Sequence, residues 1–291
     1  VSNFIPDVGV WMNTQRPEWN DANNALVGNG VSVVTLCYLH RFLKRAIALL
    51  ATIESDQVML SCSVAQLLKN LHQVLLQHKA AITSGPVSPR VREAVMAGLG
   101  NAAELYREEL YESGFSGEKQ SVSVSTISNF LELSLESSAV SIASNRREDG
   151  LFHAYNRISW TDSGVEIRYL YEMLEGQVAV LSAEVLSAEE ALHVLQTLRK
   201  SPLYTARQHS YLLYPNRRLP AFINRNCIPE NFIKQSSLMT QLIDLGNTRL
   251  IETDHSGAAY FAGRFSNTAS VVEALNELSD GGFSAEVAAE R

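Results

Sequence analysis

Two carboxylates flank a tryptophan in the run Arg16-Pro17-Glu18-Trp19-Asn20-Asp21-Ala22-Asn23-Asn24, which leads into Ala25-Leu26-Val27-Gly28-Asn29-Gly30. These residue types suit a sugar. An indole offers an apolar face to the C–H side of a pyranose, and asparagine amides both donate and accept at hydroxyls. A carboxylic acid can protonate a glycosidic oxygen. The competing role for Asp21 is structural, because it precedes a predicted helix and can cap it. The two roles make opposite demands. A cap feels the positive end of the helix, which lowers its pKa, whereas a general acid needs a raised one.

The stretch Glu18-Trp19-Asn20-Asp21-Ala22-Asn23-Asn24-Ala25-Leu26-Val27-Gly28 resembles the Asp-Trp-Asn-Asp-Gly-Met-Asn-x-Val-Gly segment of the cellobiose-phosphorylase-like family. Glu18, Ala22 and Asn23 stand where that family has Asp, Gly and Met. The resemblance implies an (α/α)6 toroid of helical hairpins, with Asp21 as the general acid. It also implies that Trp19 and Asn20 shape the adjacent sugar subsite, with Asn24 matching the family asparagine that follows the acid. In the family this motif lies well inside the catalytic domain. The chain opens at Val1, with Met12 its first methionine, so the resemblance implies the C-terminal part of a longer polypeptide.

Other polar residues are candidates of a second kind. On a predicted strand, His153, Tyr155 and Arg157 share one face by period two and could line a cleft. Glu172 and Glu175 lie three apart on a predicted helix, and either could hold an attacking water if the reaction is hydrolysis. Arg207 and His209 fall in a long loop from 201 to 226, rich in Tyr, Arg and Asn, and could grip a phosphate or a sugar acid. Each has a bland alternative: a satisfied half-buried histidine, a solvated helix face, or a loop pinned by Tyr and Arg contacts.

The elements that must position these residues are mostly helical. Apolar residues at three- and four-residue steps predict helices over 25–54, 61–82, 89–111 and 125–143. Ser88 and Pro89 supply a cap and a first-position proline for the third. The serines of the fourth suit close helix contacts. Further helices are predicted over 172–186, over 188–200 with Ser187 and Glu190 as a capping box, over 229–245 and over 268–278. Turn residues at 161–164 and at 254–257 predict two short β-hairpins. The first twenty residues read as loop, and the tail after Asp280 as frayed. No repeat of fixed period is present.

Composition sets the remaining bounds. The chain has 291 residues, is 46% hydrophobic and 19% charged, and carries 24 Lys plus Arg against 31 Asp plus Glu. That is ample apolar material for a core, and the net charge of -7 argues against a nucleic-acid partner. The most apolar stretch, 31–50, contains His40, Arg41, Lys44 and Arg45, which argues against a membrane span. Cys37, Cys62 and Cys227 have no metal-ligand spacing, read as buried thiols, and suit a reducing, cytoplasmic setting. Phosphate loops, dinucleotide fingerprints, nucleophile elbows and zinc-protease motifs do not occur.

The expectation is a mainly α protein: an incomplete, C-terminal part of an (α/α) toroid with two short hairpins, as one partial catalytic domain over 1–291, subdivided if at all near 145. It cleaves or phosphorolyses a glycosidic bond of an oligosaccharide or disaccharide with inversion, as a glycoside phosphorylase or hydrolase. Asp21, Glu172 and Glu175 are the catalytic candidates. Glu18, Trp19, Asn20, Asn24, His153, Tyr155, Arg207 and His209 are the substrate-binding ones. Neither metal nor organic cofactor is expected, with inorganic phosphate as a possible co-substrate and the upstream polypeptide as partner. The alternative is a non-catalytic helical module that binds carbohydrate or packs between domains.

Overall fold

A computed structural model of the chain describes residues 1–12, 29–216 and 220–290. Two units are evident, Val1–Asn216 and Arg217–Arg291, and each is taken by itself.

In the first unit, three very short strands open the chain: β1 (Phe4–Ile5), β2 (Gly9–Trp11) and β3 (Gly30–Ser32). The helix α1 (Val33–Leu50) follows at once, its first turn capped by Ser32, whose hydroxyl accepts from the Thr35 amide. Strand β4 (Gln57–Ser61) and helices α2 (Cys62–Gln77), α3 (Lys79–Ile82) and α4 (Pro89–Ser113) come next. As expected, Ser88 caps α4 and Pro89 takes its first position. Strand β5 (Lys119–Ser123) pairs back on β4, Ser61 opposite Lys119, and α5 (Val124–Ala143) follows. The hairpin of β6 (Tyr155–Thr161) and β7 (Gly164–Tyr169) leads to α6 (Leu174–Ser182) and α7 (Ala188–Lys200). Ser187 and Glu190 form the expected capping box. A small hairpin of β8 (Tyr204–Thr205) and β9 (Ser210–Tyr211) ends the unit.

This architecture corrects the expectation of a mainly α toroid with two hairpins. The chain is 54% helix and 18% strand, and a curled, five-stranded antiparallel sheet runs β1-β2-β3-β6-β7. Two further pairs, β4 with β5 and β8 with β9, lie outside it. The opening residues, read from sequence as loop, supply two of the five strands. Their runs of two and three residues are too short to show a period of two.

Helix α1 packs on α5 and α6, and α2 on α4, around a core that includes Leu36, Leu75, Leu99, Phe130 and Phe152. The serines of α5 meet their expectation. Ser134, Ser137, Ser138 and Ser141 are buried, and the first two donate to the carbonyls of Phe130 and Leu133 one turn back. Small side chains satisfied within their own helix let α1 and α5 approach closely. One polar pair sits between them, His40 Nδ1 at 2.8 Å from Ser138 Oγ. The serine donates its own proton to the Leu135 carbonyl at 2.7 Å, so the imidazole must be the donor to it. Of the cysteines only Cys37 is buried, and burial pushes its thiol pKa up to about 12; Cys62 is half-buried and Cys227 exposed.

The second unit has its own core, built from Ile228, Leu238, Leu242, Leu250, Ile251, Leu278 and Val287 among others. It contains α8 (Phe222–Asn226), α9 (Glu230–Gln235), α10 (Ser237–Asp244), α11 (Thr268–Leu278) and α12 (Ser284–Glu290), with a single π turn at Ser279–Phe283. Strand β10 (Cys227–Ile228) joins the expected hairpin of β11 (Ile251–Thr253) and β12 (Ala259–Phe261) in the order β10-β12-β11. The helix predicted over 229–245 breaks at Ser236, whose hydroxyl caps the second piece through the Met239 amide. The tail does not fray, because Val287 is buried in this core.

Candidate functional site

The residues able to bind and react that the structure describes gather around β6. The turn before it is held from below by Asn145, which is fully buried. Its amide donates to the carbonyls of Asp7 and Ser141, both at 2.8 Å, and its side-chain oxygen accepts from Asn156 at 2.6 Å. Asp7 in turn pairs with Arg92 at 3.1 Å, with both side chains almost wholly buried. Arg92 also donates to the carbonyls of Pro6, Val87 and Val165. The Asn145 amide and the Asp7–Arg92 pair are therefore fixed before any ligand arrives, while the buried Asn156 Oδ1 accepts no hydrogen bond among the described residues.

Above the turn lies a hollow of about 510 Å³, lined by Ser144, Arg146, Arg147, Asp149, His153 and Tyr169 among others. Arg147 sits between two carboxylates, 2.9 Å from Asp149 and 3.2 Å from Glu172. Burial works against ionisation of Asp149, but the hydrogen bonds from Arg147 prevail and hold its carboxyl below the usual range. Arg146 pairs with Glu190 at 3.0 Å. His153 lies parallel on Tyr169, with ring centres 4.4 Å apart, and its Nδ1 is 3.0 Å from the Leu170 carbonyl. A carbonyl only accepts, so Nδ1 carries the proton and Nε2 is left as an acceptor. Burial, aided by the Arg147 charge, lowers the His153 pKa and keeps the ring neutral.

The structure brings His153 and Glu172 together as opposed residues in an isolated β-bridge. It does not set His153 on one face with Tyr155 and Arg157. Tyr169, against which His153 stacks, stands opposite Asn156, on the other side of the sheet from Tyr155. Regular alternation starts only at Tyr155, where β6 begins.

On that second face, the Tyr155 hydroxyl donates to Glu175 at 2.6 Å, with the tyrosine almost fully buried. One row further along, Gly30, Arg157 and Arg168 are direct cross-strand neighbours, and the Met12 amide donates to the Gly30 carbonyl at 3.0 Å. Both arginines are exposed. Like charges directly opposite one another oppose pairing unless an anion lies between them.

Arg207 and His209 are exposed near the tip of the β8–β9 hairpin. Arg199 lies 3.5 Å over the Tyr204 ring, and Tyr204 meets Tyr211 edge-on, so Arg and Tyr contacts pin this hairpin. The Leu213 carbonyl then accepts from the Leu174 amide at 2.9 Å, which brings the loop to the start of the helix that carries Glu175.

Glu18, Trp19, Asn20, Asp21 and Asn24 lie outside the described residues. The segment that holds them joins β2 to β3. Its flanks are Met12, bonded to Gly30, and Asn29, whose carbonyl accepts from the Ile158 amide at 3.0 Å. Among the described residues, no three His, Cys, Asp or Glu side chains are placed to hold a metal ion, and no helix is long and apolar enough to cross a membrane.

Residues 219–291 match a family model described as GH149 phosphorylase insertion domain 2. The match relates the chain to the glycoside phosphorylases. Its start falls two residues from that of the second unit, so sequence family and fold define the same module. No curated protein matches the chain. The finding supports kinship with a glycoside phosphorylase-related family and a carbohydrate-active protein, and does not extend to the cellobiose-phosphorylase-like toroid. The sequence reading missed Arg147, Asp149 and Tyr169. The signal was present in Asn-Arg-Arg-Glu-Asp-Gly at 145–150, where paired cations precede paired anions, but such a run also describes an ordinary polar turn.

Proposed function

We propose that the chain belongs to an inverting glycoside phosphorylase whose general acid is Asp21. Its carboxyl donates a proton to the glycosidic oxygen as the bond from that oxygen to the anomeric carbon breaks. An oxygen of inorganic phosphate attacks the same carbon from the opposite face, giving a glycosyl phosphate of inverted configuration and a free sugar. The match of residues 219–291 to a phosphorylase insertion domain carries this reading and favours phosphate over water. The Arg157–Arg168 pair, in the same cross-strand row as Gly30 at the return of the Asp21 segment, supports it as a cationic seat for the nucleophile.

Phosphate needs no general base. Glu172, bound to Arg147, and Glu175, bound to Tyr155, then serve to position substrate and not to activate water. In this reading Trp19, Asn20, Glu18 and Asn24 bind the sugar on which Asp21 acts. For residues 219–291, the description of the match as an insertion domain favours a second reading, a non-catalytic module carried by the enzyme.

The test is release of sugar phosphate from gluco-disaccharides by the natural full-length protein with and without inorganic phosphate. Turnover should require phosphate, and Asp21→Asn should lower kcat by roughly 10²–10⁴ with folding unchanged. Equal release of free sugar without phosphate would convert the assignment to hydrolysis. Full activity in Asp21→Asn would remove the acid.

A further inference from the structure

We infer that the hollow bounded by Arg146, Arg147, Asp149, His153 and Tyr169 is a subsite for an uncharged saccharide, with the Tyr169 ring as its platform. The inference rests on the proposed reading only in taking a carbohydrate as the ligand; the hollow itself is described residue by residue. Its volume of about 510 Å³ lies in the roughly 300–1,000 Å³ range of small-molecule sites.

Charge selects the class of ligand. Arg147 is held between Asp149 and Glu172, and Arg146 pairs with Glu190, so neither guanidinium presents an unpaired fork to a phosphate or carboxylate. His153 has its Nδ1–H committed to the Leu170 carbonyl, and burial beside the Arg147 guanidinium disfavours a second proton on the ring. Asp149 and Glu172 share the single charge of Arg147, and Glu148 also lines the hollow, so carboxylates outnumber guanidinium groups there and further disfavour an anion. What the lining offers a neutral ligand is hydrogen-bond acceptors. Glu148 lines the hollow with carboxylate oxygens, and His153 keeps Nε2. These are acceptors for hydroxyl donors. A polyol supplies such donors.

The aromatic completes the argument. Tyr169 is 51% exposed although one face of its ring is stacked on His153. A half-exposed ring held flat beside fixed acceptors matches the two sides of a pyranose, one of C–H groups and one of hydroxyls.

The experiment is calorimetric titration of the full-length protein carrying Asp21→Asn, so that no bond is cleaved. The probes are five-residue gluco-oligosaccharides of α-1,4, β-1,4 and β-1,3 linkage. At least one should bind. Adding Tyr169→Ala should weaken that binding about tenfold or abolish one of its components, whereas Tyr169→Phe should retain it within about twofold. Undiminished binding in Tyr169→Ala, loss in Tyr169→Phe equal to that in Tyr169→Ala, or no binding by any probe would overturn the subsite. Phosphate-dependent turnover of the parent protein is read separately, so failure of the proposed reaction is distinguishable from failure of this inference.

Discussion

His40, His72 and His153 carry one consequence in common at the scale of single residues. Burial lowers the pKa of each, with Lys44 adding to it at His40 and Arg147 at His153. In the unfolded chain each titrates near the ordinary value of 6.5. Above that pH both states are neutral and nothing is lost. As pH falls below it, the unfolded chain takes up protons before the folded one, so stability drops and then levels beneath the folded pKa values. Urea unfolding midpoints should therefore fall between pH 7.5 and 5.5, and His40→Asn, which keeps a donor for Ser138, should make that fall shallower. A flat profile would show that these imidazoles charge as readily inside the fold as outside it. Residue types alone conveyed part of this. His153 was legible as a half-buried histidine because apolar neighbours surround it in sequence, but its stacking on Tyr169 depends on where strand alternation starts. Arg92 and Asp7 were not legible, since arginine and aspartate are ordinarily surface residues and these two meet across 85 positions.

Elements differ in how locally they are encoded, and the sheet shows why. Helices α2, α4, α5 and α7 were readable to within a few residues, because period, cap and first-position proline all lie inside the element. The β6–β7 hairpin was readable from its turn residues. Strands β1 to β3 acquire their character only through partners, and β4 finds β5 with three helices between them. The hairpin turn also fixes how β7 meets α4. Gly164 has φ +115, and a Cβ there would come within 2.5 Å of the Pro89 carbonyl oxygen and 2.8 Å of the Arg90 amide nitrogen. Backbone cannot yield as a flexible side chain can. Gly164→Ala should cost ~1–3 kcal/mol from its backbone conformation alone, with the clash added. Chemical denaturation measures the loss, and an unchanged midpoint would mean that the turn can move off α4 freely. Because β7 carries Tyr169 and Arg168, the same substitution should disturb saccharide binding before it unfolds the protein.

Over the whole molecule, the expectation of a toroid failed for a reason the sheet makes explicit. Helical periodicity establishes that helices exist, not that they pair only with one another, and segments 4–11, 30–32 and 155–169 had to be recognised together before a sheet could be seen. The phosphorylase kinship was legible in its coarse form through a dozen residues around Asp21, and the comparison that supports it lies at the other end of the chain, over 219–291. That end has its own buried cluster, which shares no residue with the clusters of Val1–Asn216. Separate cores unfold as separate cooperative units unless the contact between them is large and apolar. Calorimetry should accordingly resolve two transitions. Leu238 is fully buried in the second core, so Leu238→Ala should remove ~2–5 kcal/mol from that transition. For a unit of this size that is several degrees for each kcal/mol, while the other transition stays in place. A single transition that moves as a whole with this substitution would show instead that the insertion module and the sheet-bearing unit fold as one.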